Sequence, residues 1–164
     1  MDSIELSKFV RKKSIEMCSK GKSSHIASVL SCADLISVIF AKFLNLYPEN
    51  PSDDNRDRFI LSKGHAGAGL YSVLAKLKFV DESLLDSHYQ NGSYLSGHVC
   101  HKIFPGIEIS TGSLGHGLPI SVGKAIGLKL KKNSRHVYCL MSDGELDEGS
   151  NWEAILSASH YKLS

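Results

Sequence analysis

Residues 136–149 read HVYCLMSDGELDEG, an unbroken apolar run that stops at Ser142-Asp143-Gly144 and gives way to acidic and small residues. A short apolar run bounded by turn residues predicts a buried strand over His136–Met141. Residues 56–72, RDRFILSKGHAGAGLYS, repeat the arrangement: a short strand over Arg58–Leu61 breaks at Ser62, Gly64 and His65 and feeds a helix that opens with small residues. Short, nearly all-apolar strands alternating with helices predict an α/β domain, a mainly parallel sheet flanked by helices on both faces. In such sheets ligands bind outside the carboxyl ends of the strands. The loops after Leu61 and Met141, with Gly64, His65, Asp143 and Gly144, are therefore the first places to look for chemistry.

Working outward, Leu6, Phe9, Val10 and Met17 recur at helical spacing among charged residues, which predicts an amphipathic opening helix over Ile4–Met17. Ser31 and Asp34 have the spacing of a capping box ahead of the apolar run Leu35–Leu44, and His25 lies in the loop before it. Residues 48–55 form a polar loop. Residues 86–117 form a long Gly-, His- and Ser-rich segment, within which the alternation of IFPGIEIS (103–110) predicts a short strand. A helix resumes at Leu118 with Pro119 in its first turn and runs to about Lys132, where Gly123 and Gly127 suggest close packing. Ser150 and Glu153 repeat the capping-box spacing ahead of a last helix.

The 164 residues, 42% hydrophobic and 22% charged, suit one globular domain. A net charge of +2, with Lys129, Lys131 and Lys132 the one basic cluster, offers no nucleic-acid footprint. No unbroken apolar run approaches the roughly 18 residues of a membrane span, and the start lacks the apolar centre of a signal peptide. No membrane association and a cytoplasmic location are the expectations. Cys18, Cys32, Cys100 and Cys139 form no CxxC pair and read as reduced thiols, and His98, Cys100 and His101 are too few for a structural zinc site.

In SDGELDEGSNWEA (142–154), Asp143 at a strand's carboxyl end is compatible with a Mg²⁺ ligand beside amides near Gly144 that face phosphate, and equally with an ordinary turn. The loop STGSLGHG (110–117) leads into a helix amino terminus, which suits an anion cradle or a flexible connector. His25, His65, His98 and His116 fall in separate loops; together they would line a pocket able to move protons near neutral pH. No GxSxG elbow or activated cysteine motif is present.

The segments SSHIASVLSCADLI (23–36), RDRFILSKGHAGAGLYSVLA (56–75), GIEISTGSLGHGLPISVGKAIGLKLK (106–131) and SDGELDEGSNWEA (142–154), in this order, resemble transketolases, in particular the amino-terminal subunits of split bacterial transketolases. The resemblance spans nearly the whole chain. It implies the diphosphate-binding domain of a thiamine diphosphate enzyme, with Mg²⁺ (or Ca²⁺), that transfers a two-carbon ketol unit from a ketose phosphate to an aldose phosphate in the pentose phosphate pathway. By position it assigns Asp143 to the metal, and Gly144 to the diphosphate. Gly112, Ser113 and Leu114 fall in the loop against the cofactor. His65 is assigned to the cofactor, His25 and His98 to the substrate, and Glu148 to an acid near a subunit interface. The implied partners are a second copy and a carboxyl-terminal subunit carrying the pyrimidine-binding domain. Ser142 and Ser24 stand where the family usually has glycine. The chain ends before the strand that carries the family's second metal ligand, so the expectation is a partial domain, inactive alone. A noncatalytic remnant acting as an interaction module, or a fragment of a 1-deoxyxylulose-phosphate synthase, are the alternatives.

Overall fold

Asp2 accepts a hydrogen bond from the Ile4 amide at 3.2 Å and so caps a first helix, α1 (Ser3–Gly21), in this computed structural model, which describes residues 1–102 and 106–163. Leu6, Val10 and Met17 are buried along one side of α1, as the helical spacing predicts. The helix outruns its predicted end and closes at Lys22, whose left-handed backbone returns its amide to the Cys18 and Ser19 carbonyls.

Helix α2 (Ile26–Val38) packs on α1, and α3 (Gly67–Lys76) packs on both. Val29, Cys32, Ala33 and Ile36 give α2 one continuous buried side that begins before Ser31. This corrects the expected capping box, because packing of the whole stripe outweighs a local cap signal. Ser31 instead donates back to the Ser28 carbonyl at 2.9 Å, and Asp34 binds Arg11 at 2.7 Å. A π-helical turn, Ile39–Phe43, continues α2 and sets Phe40 against Phe59, ring centroids 4.8 Å apart. Ile26–Phe43 is long and apolar enough to cross a membrane by length and composition; it carries Asp34 and Lys42, and one side of it packs against α1 and α3.

The strands β1 (Arg58–Leu61) and β2 (Val137–Leu140) pair in parallel, Arg58 opposite Val137 and Leu61 opposite Leu140. The α/β expectation holds in a helix-rich form with a small sheet. Strand β1 is buried, but β2 is half-buried until Leu140, which corrects its prediction as a fully covered strand. Helix α4 (Gly117–Leu130) and α5 (Gly149–His160) pack on one another and α4 on β2, leaving Ile120, Leu146, Trp152, Ile155 and Leu156 exposed. A Cβ at Gly123 or Gly127 would meet nothing within 4 Å, so these glycines line open space and not the tight contact expected. Helix α5 starts at Gly149, and Ser150 donates across to the Gly115 carbonyl at 2.6 Å, so the second expected capping box is also not formed. In IFPGIEIS, residues 103–105 lie outside the described residues, and 106–110 are not strand.

The amino end of the sheet is densely bonded. Asp57 accepts from the amides of His136 and Asn45, each at 2.8 Å, and from the Asn45 side chain at 3.0 Å. Burial pushes its carboxyl up, but these donors outweigh it and leave the pKa below the ordinary value. Beside it the buried Glu108 pairs with Arg56, with Arg58 at 3.6 Å and with Lys124 at 3.4 Å.

Candidate functional site

At the opposite, carboxyl end three loops meet. The Ser62 amide donates to the Leu140 carbonyl at 2.9 Å, which sets the loop after β1 beside the loop after β2. Thr111 then donates to the Leu61 carbonyl at 2.5 Å and lays the 110–117 loop across the strand end. The side chain that joins all three is Glu145, fully buried in the 3-10 turn Gly144–Asp147. Its carboxylate accepts from Ser62 Oγ at 2.5 Å, the Gly115 amide at 3.2 Å, the Ser142 amide at 2.9 Å and Ser142 Oγ at 3.3 Å. Several donors and no cation hold it, which satisfies a buried carboxylate without an ion pair. Sequence reading missed Glu145. Its one signal was a carboxylate two residues beyond Asp143 in a turn whose other acids are exposed. Ser142 turns its hydroxyl inward to Glu145.

Three predicted histidines converge. His25 occupies the position before α2 with φ +74°, a left-handed backbone, and its ring centroid lies 5.4 Å from that of His65 and 5.6 Å from that of His98. His65 sits in the 3-10 turn Gly64–Ala66 directly after β1. Burial, then Lys63, His25 and His98, push the His65 pKa below its ordinary value, against a smaller opposing pull from Glu145. His65 is therefore a neutral imidazole at pH 7, able to accept or donate a proton. Gly112, at φ +140°, lies against His98: an added Cβ would come within 2.6 Å of the ring's Cδ2. Ser113 beside it is exposed and Leu114 half-buried. His116 does not join the trio through a ring contact; its Nδ1 engages the Leu114 carbonyl at 2.9 Å.

Asp143 is exposed at the start of the 3-10 turn and makes no side-chain cap. A Cβ at Gly144 would meet nothing within 4 Å, so a ligand can approach that backbone closely. Glu148 packs its Cβ against Gly115, where a side chain would come within 2.7 Å, and so borders the same loop. Trp152, in α5, donates its Nε1 proton to the Leu146 carbonyl at 2.7 Å and ties the helix to this turn. Among the described residues no group of three or more His, Cys, Asp or Glu side chains stands ready to hold a metal. Burial pushes the Cys139 thiol up to about 11 and raises Cys32 as well, which keeps these two protonated and unreactive.

Residues 3–164 match the family described as Transketolase, thiamine diphosphate binding domain. The chain belongs to this transketolase family. Among its relatives, an apulose-4-phosphate transketolase subunit from Phocaeicola vulgatus is 40% identical over 153 residues, covering 93% of this chain and 54% of that protein. The 6-deoxy-6-sulfo-D-fructose transketolase subunit SqwG of a Clostridium species is 34% identical over 154 residues, covering 94% and 56%. The crystal structure of transketolase from Campylobacter jejuni superposes with a TM-score of 0.92 at 36% identity, over 99% of this chain and 27% of that one. The chain thus spans about half the length of the curated subunit relatives. The fold, the family and the thiamine diphosphate-binding type of domain agree with what the four motifs imply.

Proposed function

We propose that this chain is the diphosphate-binding component of a transketolase that moves a two-carbon ketol unit from a ketose phosphate to an aldose phosphate. The observation that carries the reading is the convergence of His25, His65 and His98, from three separate loops, beside Gly112 at the carboxyl end of the sheet. The residues present fit the cofactor. Gly112 and Gly144 keep side chains away from the loops that would face a diphosphate, and the exposed Asp143 offers one carboxylate to Mg²⁺ or Ca²⁺. One carboxylate is a small share of a hydrated cation's shell, so phosphate oxygens and further ligands would complete it.

When bound, thiamine diphosphate supplies the carbon nucleophile and electron sink for cleavage and formation of the bond next to the ketose carbonyl. The protein's contribution is positional and protonic. His65, neutral at pH 7, would help hold the cofactor and could take or give a proton there. His25 and His98 hydrogen-bond the sugar's carbonyl and hydroxyl oxygens and stabilise charge that develops there. Ser113 and Leu114 would line the cofactor, with Glu148 at the border of the loop. The chain works in the cytoplasm with a carboxyl-terminal subunit, with a second copy, or with both.

The test is calorimetric titration of thiamine diphosphate with Mg²⁺ into the purified chain, with Asp143→Ala as control. Magnesium-dependent binding that the substitution abolishes supports the reading. Absence of binding at millimolar cofactor, both by the chain and by the chain with its carboxyl-terminal subunit, overturns it in favour of a noncatalytic interaction module.

A further inference from the structure

His88 follows the 3-10 turn Glu82–Ser87, is 3% exposed, and has no part in the chemistry above. Its Nε2 lies 3.2 Å from Ser23 Oγ, and the Leu95 carbonyl bonds to the ring. A buried imidazole outside the chemistry calls for an explanation. Burial pushes its pKa down and the Leu95 carbonyl offsets this only in part, so the ring is neutral at pH 7.

What His88 touches supplies the explanation. Ser23 lies in the turn between α1 and α2, where Lys22 (φ +50°) and His25 (φ +74°) both hold left-handed backbone that non-glycine residues rarely adopt. Ser24, the residue before His25, brings no glycine to ease that turn. Conformations of this kind persist only where surrounding contacts over-determine them. The His88–Ser23 bond is such a contact. On the other side, the His88 ring packs 6.1 Å from Tyr71, whose hydroxyl donates to the carbonyls of Ser96 at 3.2 Å and His98 at 3.0 Å. One imidazole is therefore linked directly to the turn that presents His25 and, through Tyr71, to the segment that presents His98. A cavity of about 140 Å³ lies between those two segments, lined by Ser23, His25, Gly97 and His98 among others.

We propose that His88 is a positioning residue that fixes the His25 turn against the His98 segment, so that the two imidazoles face one site. Its importance for turnover rests on the function proposed above, but the geometric claim does not. The test uses the full chain with isotope-labelled histidine and measures nuclear Overhauser contacts between the His25 and His98 rings in wild type, Ser23→Ala, His88→Phe and His88→Gln. The expected result is a ring contact in wild type that falls at least threefold in Ser23→Ala and in His88→Phe. The double variant shows no further loss, and His88→Gln, which returns a polar nitrogen towards Ser23, recovers the contact. Where His88→Phe fails to fold, Ser23→Ala carries the test, because it deletes one hydroxyl from a half-buried turn. Unchanged ring contacts in Ser23→Ala overturn the proposal. In an active complex with the carboxyl-terminal subunit, Ser23→Ala should lower kcat about tenfold with little change in cofactor affinity, as expected of a misplaced proton-transfer group. A chain that binds no cofactor under any condition overturns the function while the ring contacts still decide the role of His88.

Discussion

Glu108, at the amino end of the sheet, and Glu145, at the carboxyl end, are buried carboxylates held in opposite ways. At the amino end Glu108 is matched to Arg56, Arg58 and Lys124, so its charge is neutralised where it lies, while Asp57 is held by amides. At the carboxyl end Glu145 is matched to hydroxyl and amide donors alone, and Asp143 a few residues away is left to solvent. A buried acid held by neutral dipoles fixes three loops without bringing a cation that would compete for an anionic ligand. The difference separates an end tied by ion pairs from an end where one acid is left to solvent.

Four substitutions test that separation. The largest effect is expected for Glu108→Ala, which strands buried guanidinium groups and should cost roughly 3–5 kcal/mol in denaturant unfolding; a loss under 1 kcal/mol would remove the amino end's structural role. Next is Glu145→Gln, which keeps the shape but withdraws one acceptor oxygen from the donors of Ser62, Gly115 and Ser142. A loss of about 1–3 kcal/mol is expected, with faster amide exchange confined to the three loops. Exchange that rises evenly over the whole chain would show that Glu145 supports the core and not the site.

Asp57→Asn should cost about 1–2 kcal/mol at neutral pH, and its pH dependence gives a second handle. The folded carboxyl titrates below its unfolded value of about 3.9, so its stabilisation is complete above that value and is lost as pH falls through the folded pKa. The gap between wild type and Asp57→Asn should therefore narrow below about pH 4 in acid unfolding curves. A gap constant down to pH 2 would mean that the carboxylate's charge is not what the amides recognise. The smallest effect on stability is expected for Asp143→Asn, within about 0.5 kcal/mol, since the exposed side chain caps nothing. A larger loss would contradict the picture of an acid held open for a ligand.

Much of this division was legible in the sequence, and what was not follows a physical pattern. Strand β1, helix α3, Pro119 in the first turn of α4 and the His25, His65 and His98 loops come from apolar runs and their breaks, which are local signals. Both capping boxes failed because Ser31 and Ser150 satisfy partners that spacing does not reveal: Ser31 its own preceding turn, Ser150 a carbonyl 35 residues away. Glu145 escaped notice for the same reason, since its donors come from residues 62, 115 and 142. The glycines of α4 misled in the other direction: a missing side chain signals close approach only when something approaches. The roles of Asp143, Gly144 and Glu148 came from resemblance to a family, because an exposed acid beside a glycine is by itself only a turn.

The tie between Trp152 and the Leu146 carbonyl has a practical corollary. This is the chain's sole tryptophan, half in solvent, and its indole is anchored to the turn that begins at Asp143 and Gly144. The protein thus carries a built-in fluorophore tied to the turn proposed to hold the diphosphate. A change in emission on adding a divalent cation and a pyrophosphate ester would report movement of that turn directly, in real time and without a label.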